Sequence, residues 1–296
     1  MIRLVVLVCA LSLSCASAFA DGKSVIRFDR NRISLGMEGV HSDSVKDSFG
    51  KLRMKQPPTK GIVLLDSIPE GPIHKAGLRT FDLITVIDGQ KTDTPEQFAA
   101  KTSQLTGDEI FISGFTVVRG KSASTWKAGK VKVKPMTLAE IFPAAMDREV
   151  DSVSKITAVR ERSAPAPSQI VPTVNLTYLI TNGKAHSPRL NVQYVGKDFI
   201  SLRSIVLQCR DESLSLTTPD VHIENGSGRA WEWCSIPLTW GGIQKLEAIW
   251  RLRAPGTLRH NGRDYKSDRE LELDEICRIE HTAYAYELDG GVWPDK

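Results

Sequence analysis

Short runs of alternating apolar and polar residues recur along the chain, and they predict two sheet-rich regions. In the first, residues 25 to 135, Ile62–Leu65 is typical of a buried strand and Leu83–Ile87 predicts the next one. Between them, Pro72 suits the first position of a short helix, and Gly77 suits the left-handed residue that ends it. The order predicted from this pattern is strand, short helix, strand and tight turn.

Two more helices are predicted in the same region. One covers Asp43–Phe49. The other covers Pro95–Leu105, where Thr94 is the expected N-cap and Gln97 completes a capping box. Apolar and small residues lie along one side of this second helix at near-helical spacing, namely Phe98, Thr102 and Leu105.

Residues 136–169 have the composition of a connector. Leu138–Arg162 contains many helix-forming residues without a regular apolar pattern, and the Pro/Ala/Ser segment 163–168 is typical of a semi-rigid extended linker. We therefore expect two domains that fold separately, with the second at residues 170–296.

The second region begins with strand patterns and ends with a long helix, so an α+β domain is expected. A short helix is predicted near Trp240–Glu247, a strand at Ala248–Arg253, and a capping box at Ser267 and Glu270 that starts the last helix. A stripe at spacings of three and four marks the buried side of that helix, namely Leu273, Ile276, Ile279, Ala283 and Tyr286.

The first twenty residues resemble a secretory signal peptide. Arg3 supplies the positive charge, Leu4–Leu13 is the apolar core, and cleavage is expected near Ala18 or Ala20. Cys15 raises the alternative of a lipoprotein, which we disfavour because Ser12 stands where that motif has leucine. A periplasmic or secreted protein is expected, and no later apolar run predicts a membrane span.

The distribution of charges and the number of cysteines limit the ligands and the disulfides that we expect. The chain carries 39 Lys and Arg against 35 Asp and Glu, and they form no stripe with interleaved aromatics of the kind that binds nucleic acid. After the signal peptide three cysteines remain. A Cys209–Cys234 disulfide is favoured because both residues lie in strand-like runs; three buried reduced thiols, Cys277 included, are the alternative.

Residues 32–133 resemble the PDZ domains of the bacterial Deg-type (high-temperature-requirement) serine proteases. The resemblance covers about one third of the chain, and these motifs carry it: Ser34-Leu35-Gly36-Met37, Val45–Leu52, Gly61–Pro72, Ala76-Gly77-Leu78, Asp82-Leu83-Ile84 and Asp88-Gly89-Gln90. Two positions depart from the family pattern, Ile73 in place of alanine and Thr80-Phe81-Asp82 in place of Pro-Gly-Asp. The resemblance implies a partly open β-barrel with two helices.

The resemblance also implies a peptide-binding groove for a peptide or protein C-terminus. Backbone N–H groups at Leu35, Gly36 and Met37 would hold the terminal carboxylate. The peptide would then pair as an added strand with Glu38, Gly39 and Val40. The side-chain pockets would be shaped by residues of the second helix, namely Phe98, Lys101, Thr102 and Leu105.

The same family's proteolytic activity is not implied. Only a signal peptide is expected before the PDZ-like region, no serine stands in the Gly-Asn-Ser-Gly-Gly setting of that family's nucleophile, and Gly226-Ser227-Gly228 lacks a supporting context. The six histidines show no metal-ligand spacing, so no metal and no cofactor are expected. We therefore expect a non-catalytic adaptor or scaffold for envelope or secreted partners.

Other interpretations of the second region stay open. It could hold the active site of a protease or other hydrolase, with the PDZ-like region selecting substrates, or it could join an envelope complex. Trp231 and Trp233 share a strand face, and Trp250 is expected on a later strand nearby. The three could form an aromatic surface for a partner or glycan, with core packing as the alternative.

Overall fold

The computed structural model describes residues 31–45, 56–119, 124–166, 168–226 and 228–295. Over these residues the protein has a mixed α+β fold made mostly of sheets, with five α-helices and no sheet that closes into a barrel. Two compact units divide between Ala145 and Met146. The signal peptide predicted at residues 1–20 and most of the segment Val45–Leu52 lie outside the described residues.

Unit 1 precedes that division. Its strands are β1 Ile33–Ser34, β2 Met37–His41, β3 Ile62–Ser67, β4 Leu83–Ile87, β5 Gln90–Lys91, β6 Ile110–Arg119, β7 Ser124–Val133 and β8 Met136–Thr137. Its helices are a 3-10 turn at Ser42–Val45, α1 Pro72–Lys75, α2 Pro95–Thr102 and α3 Leu138–Ala144. The main sheet has the antiparallel order β2-β3-β4-β6-β7, β5 pairs with β4, and β1 pairs with β8.

Alternation along the strands builds the core of unit 1 on one side of its sheet. Ile62 and Leu64 of β3 point into the main cluster, whereas Val63 between them packs with Leu83 on the other side. The main cluster is fully apolar and consists of Leu35, Ile62, Leu64, Ile73, Leu78, Ile84, Ile87, Phe98, Ile110, Ile112 and Val133.

Helices α1 and α2 of unit 1 have the end residues that the sequence predicts. Pro72 opens α1, and Gly77 just past its end has a φ of +86°. The Thr94 hydroxyl accepts the Gln97 N–H at 3.3 Å, and the Gln97 side chain accepts the Thr94 N–H at 3.2 Å, so the predicted capping box is confirmed. Helix α2 ends at Thr102, earlier than the predicted Leu105.

Unit 2 contains ten strands and two helices among its described residues. The strands are β9 Met146–Val150, β10 Thr157–Glu161, β11 Thr173–Thr181, β12 Lys184–Gly196, β13 Ser204–Cys209, β14 Glu212–Thr217, β15 Val221–Gly226, β16 Arg229–Pro237, β17 Gly256–Asn261 and β18 Lys266–Leu271. The helices are α4 Trp240–Arg251 and α5 Leu273–Leu288.

Two antiparallel sheets and the helices make up unit 2. The larger sheet has the order β15-β16-β12-β11-β10-β9, and the smaller one has the order β14-β13-β17-β18. Helix α5 packs on β11 and its neighbours, and α4 packs on β14 and on α5. Ile276, Ile279, Ala283 and Tyr286 are buried, which confirms the predicted apolar stripe of the long helix.

Three sequence predictions in and near unit 2 are wrong. Much of the predicted connector is sheet, because β9 and β10 pair with each other and β10 pairs with β11. Most of the predicted strand Ala248–Arg253 belongs to α4, which ends at Arg251, since its apolar residues continue the helical spacing from Ile243 and Leu246. Ser267 and Glu270 lie in β18 rather than in a cap.

The capping box of α5 is formed instead by Glu272 and Glu275. The Glu275 side chain accepts the Glu272 N–H at 3.2 Å. The same Glu275 carboxylate accepts the Val174 N–H at 3.1 Å and is paired with Arg269. A tertiary contact with β11 and β18 therefore determines where the last helix begins, and the local sequence pattern alone did not predict it.

His260 gives unit 2 a defined pH dependence. Its ring on β17 is 1% exposed and packs edge-on against Tyr194, with ring centroids 5.5 Å apart. Burial, helped by the charge of Arg269, lowers the pKa of His260 to about 4. The histidine is neutral in the folded state, so its stabilising contribution is present above its unfolded pKa and is lost as pH falls towards 4.

We expect the free energy of unfolding to fall by about 2 kcal/mol through this group between pH 7 and pH 5. His260→Phe keeps an aromatic ring in place and removes the titration. Urea unfolding at both pH values should give a smaller pH effect for the variant than for the wild type. Equal pH effects in the two proteins would show that His260 does not carry this dependence.

Candidate functional site

The segment predicted to bind a carboxylate forms a tight turn in unit 1. Gly36 has a φ of +66°, which residues with a side chain rarely adopt. Leu35 beside it is buried in the main apolar cluster. The Leu35 carbonyl accepts the Ile73 N–H at 3.1 Å, and the Gly36 carbonyl accepts the Ile68 N–H at 3.0 Å. The turn is thus tied to the segment that leads into α1.

Glycine is required at position 36 for two separate reasons. Besides the positive φ, a Cβ there would lie 3.1 Å from Pro72 Cδ and 3.3 Å from Gly71 Cα. The Gly36 N–H also donates to the Ser34 hydroxyl at 3.1 Å. A bulky residue at position 36 would therefore strain the fold itself, so loss of binding in such a variant would not report on the ligand alone.

Strand β2 follows this turn and lies at the edge of the main sheet of unit 1. Its register with β3 contains a bulge between Glu38 and Gly39. At the bulge a Cβ on Gly39 would lie 2.5 Å from Ile62 Cγ2, so glycine permits the close approach. Val40 pairs with Val63. One side of the β2 backbone is therefore used by β3, and the other has no strand partner among the described residues.

Two of the four predicted pocket residues, Phe98 and Leu105, contact the apolar core of unit 1. Phe98 is 6% exposed and lies in the main apolar cluster, where it anchors α2 to the core. Leu105, which follows α2, and Met37, at the start of β2, are partly buried and pack on this same cluster.

Polar contacts fix the remaining two predicted pocket residues. The Lys101 ammonium lies 3.6 Å from the Asp88 carboxylate, and the lysine side chain is 15% exposed. The Thr102 hydroxyl donates to the Phe98 carbonyl at 3.0 Å. Both side chains therefore have polar partners within unit 1, and the Thr102 hydroxyl is bonded to the backbone of its own helix.

The predicted aromatic surface of unit 2 keeps two of its three members. Trp250 is 1% exposed on α4 and packs against Tyr284, so its predicted place on this surface is wrong. Trp231 and Trp233 share one face of β16, and Trp233 is 38% exposed. The Trp233 ring stacks on His222 of β15, with ring centroids 4.0 Å apart and planes 11° apart.

Sequence reasoning missed the residue between these two tryptophans. Glu232 is fully buried and accepts backbone N–H groups from Ile200, Ser201 at 2.9 Å and Leu202 at 2.6 Å. Three such bonds compensate for the loss of solvation of a buried carboxylate. A charged residue flanked by two strand tryptophans was the available signal, since period-2 alternation puts it on the opposite face.

The predicted Cys209–Cys234 disulfide is wrong. Cys209 lies in the smaller sheet of unit 2 and Cys234 in the larger one, and the three described cysteines are buried thiols that form no disulfide. Burial raises the pKa of the Cys234 thiol to about 11, with the nearby Glu232 charge adding to the effect, and burial also raises that of Cys209. Both thiols are therefore protonated and unreactive at neutral pH.

A serine, a histidine and a carboxylate also meet in unit 2. The Ser163 hydroxyl donates to Glu161 at 2.6 Å, and His281 Nδ1 lies 3.7 Å from the other oxygen of Glu161. The carboxylate thus lies between serine and histidine. Activation of a serine nucleophile needs the imidazole next to the hydroxyl, so this order does not build a catalytic triad.

The described residues contain no group of three or more His, Cys, Asp or Glu side chains arranged to hold a metal ion. Within the same part of the chain, no helix combines the length and apolar character needed to cross a bilayer. The chain matches no protein-family model and no curated protein.

The redox state of the three cysteines can be tested by alkylation. We expect iodoacetamide to label Cys209, Cys234 and Cys277 only slowly in the folded protein and completely after unfolding without reductant, because the thiols are buried but not oxidised. Peptide mapping by mass spectrometry without reduction measures both. A peptide pair that contains Cys209 linked to Cys234 would contradict the structure.

Proposed function

We propose that this chain is an exported, non-catalytic adaptor whose unit 1 is a PDZ-type domain that captures peptide or protein C-termini. The signal-peptide pattern predicted at residues 1–20 supports export to the periplasm or beyond the cell. The sequence motifs at Leu35-Gly36-Met37 and in the strand-helix-strand centre support the PDZ assignment. On this view the sheet of unit 1 is the partly open barrel of that family, and unit 2 folds separately.

The observation that carries this proposal is the position of β2. It is an outer strand of the sheet, and it follows directly on a turn whose Gly36 has a positive φ. An outer strand can accept one more antiparallel strand through its free N–H and C=O groups. A positive-φ glycine turn at the start of that strand suits the capture of a carboxylate by backbone N–H groups.

The floor of the proposed groove also suggests a ligand preference. Met37 and Leu105 are partly buried on the apolar cluster, one on the strand side and one after α2. A ligand side chain seated between them would gain by covering apolar surface, at about 25 cal/mol per Å². Peptides with an apolar last residue are therefore the expected ligands.

Carboxylate capture is tested by changing the ligand. Peptides selected from a library with free C-termini should bind the full chain, and amidation of the same peptides should raise Kd by about tenfold, because a charged hydrogen bond contributes more than a neutral one. Fluorescence polarisation measures both forms. Equal affinity for acid and amide would refute carboxylate capture by the Gly36 turn.

Strand addition is tested at His41. The Ser42 N–H donates to the carbonyl of Gly61, the residue just before β3. Because N–H groups alternate in direction along a strand, the His41 N–H points away from β3 and towards the proposed peptide. We expect His41→Pro to raise Kd about fivefold, because one hydrogen bond of about 1 kcal/mol is lost. Proline is tolerated on an edge strand where the N–H faces outward.

The matched control for this variant is His41→Ala, which removes the side chain but keeps the backbone N–H. It should bind peptide with near wild-type affinity if the backbone makes the contact. Urea unfolding of both variants separates a binding defect from loss of the fold. Unchanged affinity in a folded His41→Pro protein would show that the ligand does not pair with β2.

A further inference from the structure

Strand β15 is an outer strand of the larger sheet of unit 2, and it pairs with β16 on one side only. Five of its six residues are exposed, and Val221 is half-buried. The apolar side chain of Ile223, in the middle of the strand, is 52% exposed. A strand with one free edge can take up another strand, and the peptide-binding proposal does not use this edge.

The register of the β15–β16 hairpin shows which backbone groups face the free edge. Gly226 and Arg229 form its last pair, and only two residues separate them, so these two residues exchange their N–H and C=O groups. The Leu238 N–H, just past β16, donates to the Pro188 carbonyl of β12 at 3.0 Å, as the same alternation requires. The residues of β15 that turn their N–H and C=O groups to the free edge are therefore Val221, Ile223 and Asn225. Within the described part of the chain, no strand or loop bonds to these groups.

Strand β15 has none of the usual features that prevent an outer strand from pairing, which are lysine, proline and a bulge. Its sequence contains neither residue, and its register with β16 runs without a shift. Strand β9 at the opposite edge of the same sheet differs, since it carries three charged residues in a row, namely Asp147, Arg148 and Glu149. Of the two edges of this sheet, the β15 edge is therefore the one that suits another strand.

The side chains of His222 and Glu224 make β15 complementary to itself. They lie two residues apart and so share one face of the strand. When a second copy of β15 lies antiparallel with the two Ile223 residues opposite each other, His222 of each copy lies opposite Glu224 of the other. Such pairs of opposite charge stabilise neighbouring strands. Sliding one strand by two residues would instead set the two histidines or the two glutamates against each other, so the charges select the register centred on Ile223.

The same register satisfies the backbone groups of the free edge. Ile223 exchanges its N–H and C=O groups with Ile223 of the second copy, and Val221 exchanges its groups with Asn225 of that copy. On the face opposite to His222, the two Ile223 side chains become neighbours and cover apolar surface that is exposed in the single chain. Backbone bonds, charge pairs and apolar contact therefore agree on one arrangement with a two-fold axis at Ile223.

We propose that β15 pairs with β15 of a second copy of this chain, antiparallel about Ile223, and joins the larger sheets of the two copies into one continuous sheet. A contact made by one short strand from each copy is small, so the dimer is weak and its dissociation constant lies in the micromolar range. This interaction surface belongs to unit 2 and is independent of peptide binding by unit 1.

Sedimentation velocity of the chain without its predicted signal peptide tests this dimer. Between about 1 and 300 µM, a range that brackets such affinities, the apparent mass should rise from monomer to dimer. Ile223→Pro removes the outward N–H, which an edge strand tolerates, and should raise the dimer Kd about thirtyfold because symmetry removes two hydrogen bonds at once. The matched control is Ile223→Val, which keeps the N–H and should dimerise like the wild type. Circular dichroism melting shows whether each variant is folded.

A pair of charge variants tests the proposed register. Glu224→Lys and His222→Glu each remove both attractive pairs of the dimer, so each variant alone should show a Kd raised by about tenfold. In an equal mixture of the two variants, His222 of one chain lies opposite Glu224 of the other, and the two introduced residues, of opposite charge, also lie opposite each other. The mixture should therefore form dimers at a concentration at which neither variant does so alone.

Crosslinking locates the two-fold axis. In Ile223→Cys the two new thiols lie on residues whose Cα atoms are about 5.5 Å apart, so oxidation with copper phenanthroline should give a disulfide-linked dimer. Asn225→Cys also adds an exposed thiol, but its counterpart lies about 14 Å away along the strands, so no such dimer should form.

Three results would overturn the proposal. The first is a monomer over the whole concentration range. The second is a wild-type dimer Kd in a folded Ile223→Pro protein, which would place the contact elsewhere. The third is crosslinking of Asn225→Cys as fast as that of Ile223→Cys, which would rule out the register centred on Ile223.

Discussion

The two-residue period of antiparallel strands is the constraint on which both units depend. It sends Ile62 and Leu64 into the core of unit 1 while Val63 between them faces the other side of the sheet. In unit 2 it sends Trp231 and Trp233 outward and Glu232 inward. Both sets of side chains are therefore buried in β3, whereas in β16 one set is buried and the other is at least partly exposed.

Buried carboxylates attach irregular segments to these sheets. Asp82 of unit 1 accepts the N–H groups of Arg79 and Val117, each at 2.8 Å, and its burial raises its pKa. Glu232 does the same for the loop at residues 200–202. A buried backbone N–H without a partner is costly, so one carboxylate with several such bonds fixes a loop firmly.

The sequence predicted well wherever a local rule decides the structure. The cap at Thr94 and Gln97, the positive φ of Gly77 and the buried stripe of the last helix all follow from interactions within a few residues. The wrong predictions concern residues whose structure is decided by contacts between distant segments. The apolar run around Trp250 suits a strand or a helix equally, and packing of α4 on β14 and α5 decides for the helix.

The division between sequence and tertiary structure has one physical cause. Capping, turn geometry and side-chain alternation act over a few residues, so the chain by itself determined the type of most elements, the need for glycine at position 36 and the shared face of Trp231 and Trp233. Burial and hydrogen-bond satisfaction act between distant segments. They alone decided that Phe98 and Trp250 are core residues, that Cys209 and Cys234 lie in different sheets, and that Glu232 anchors a loop.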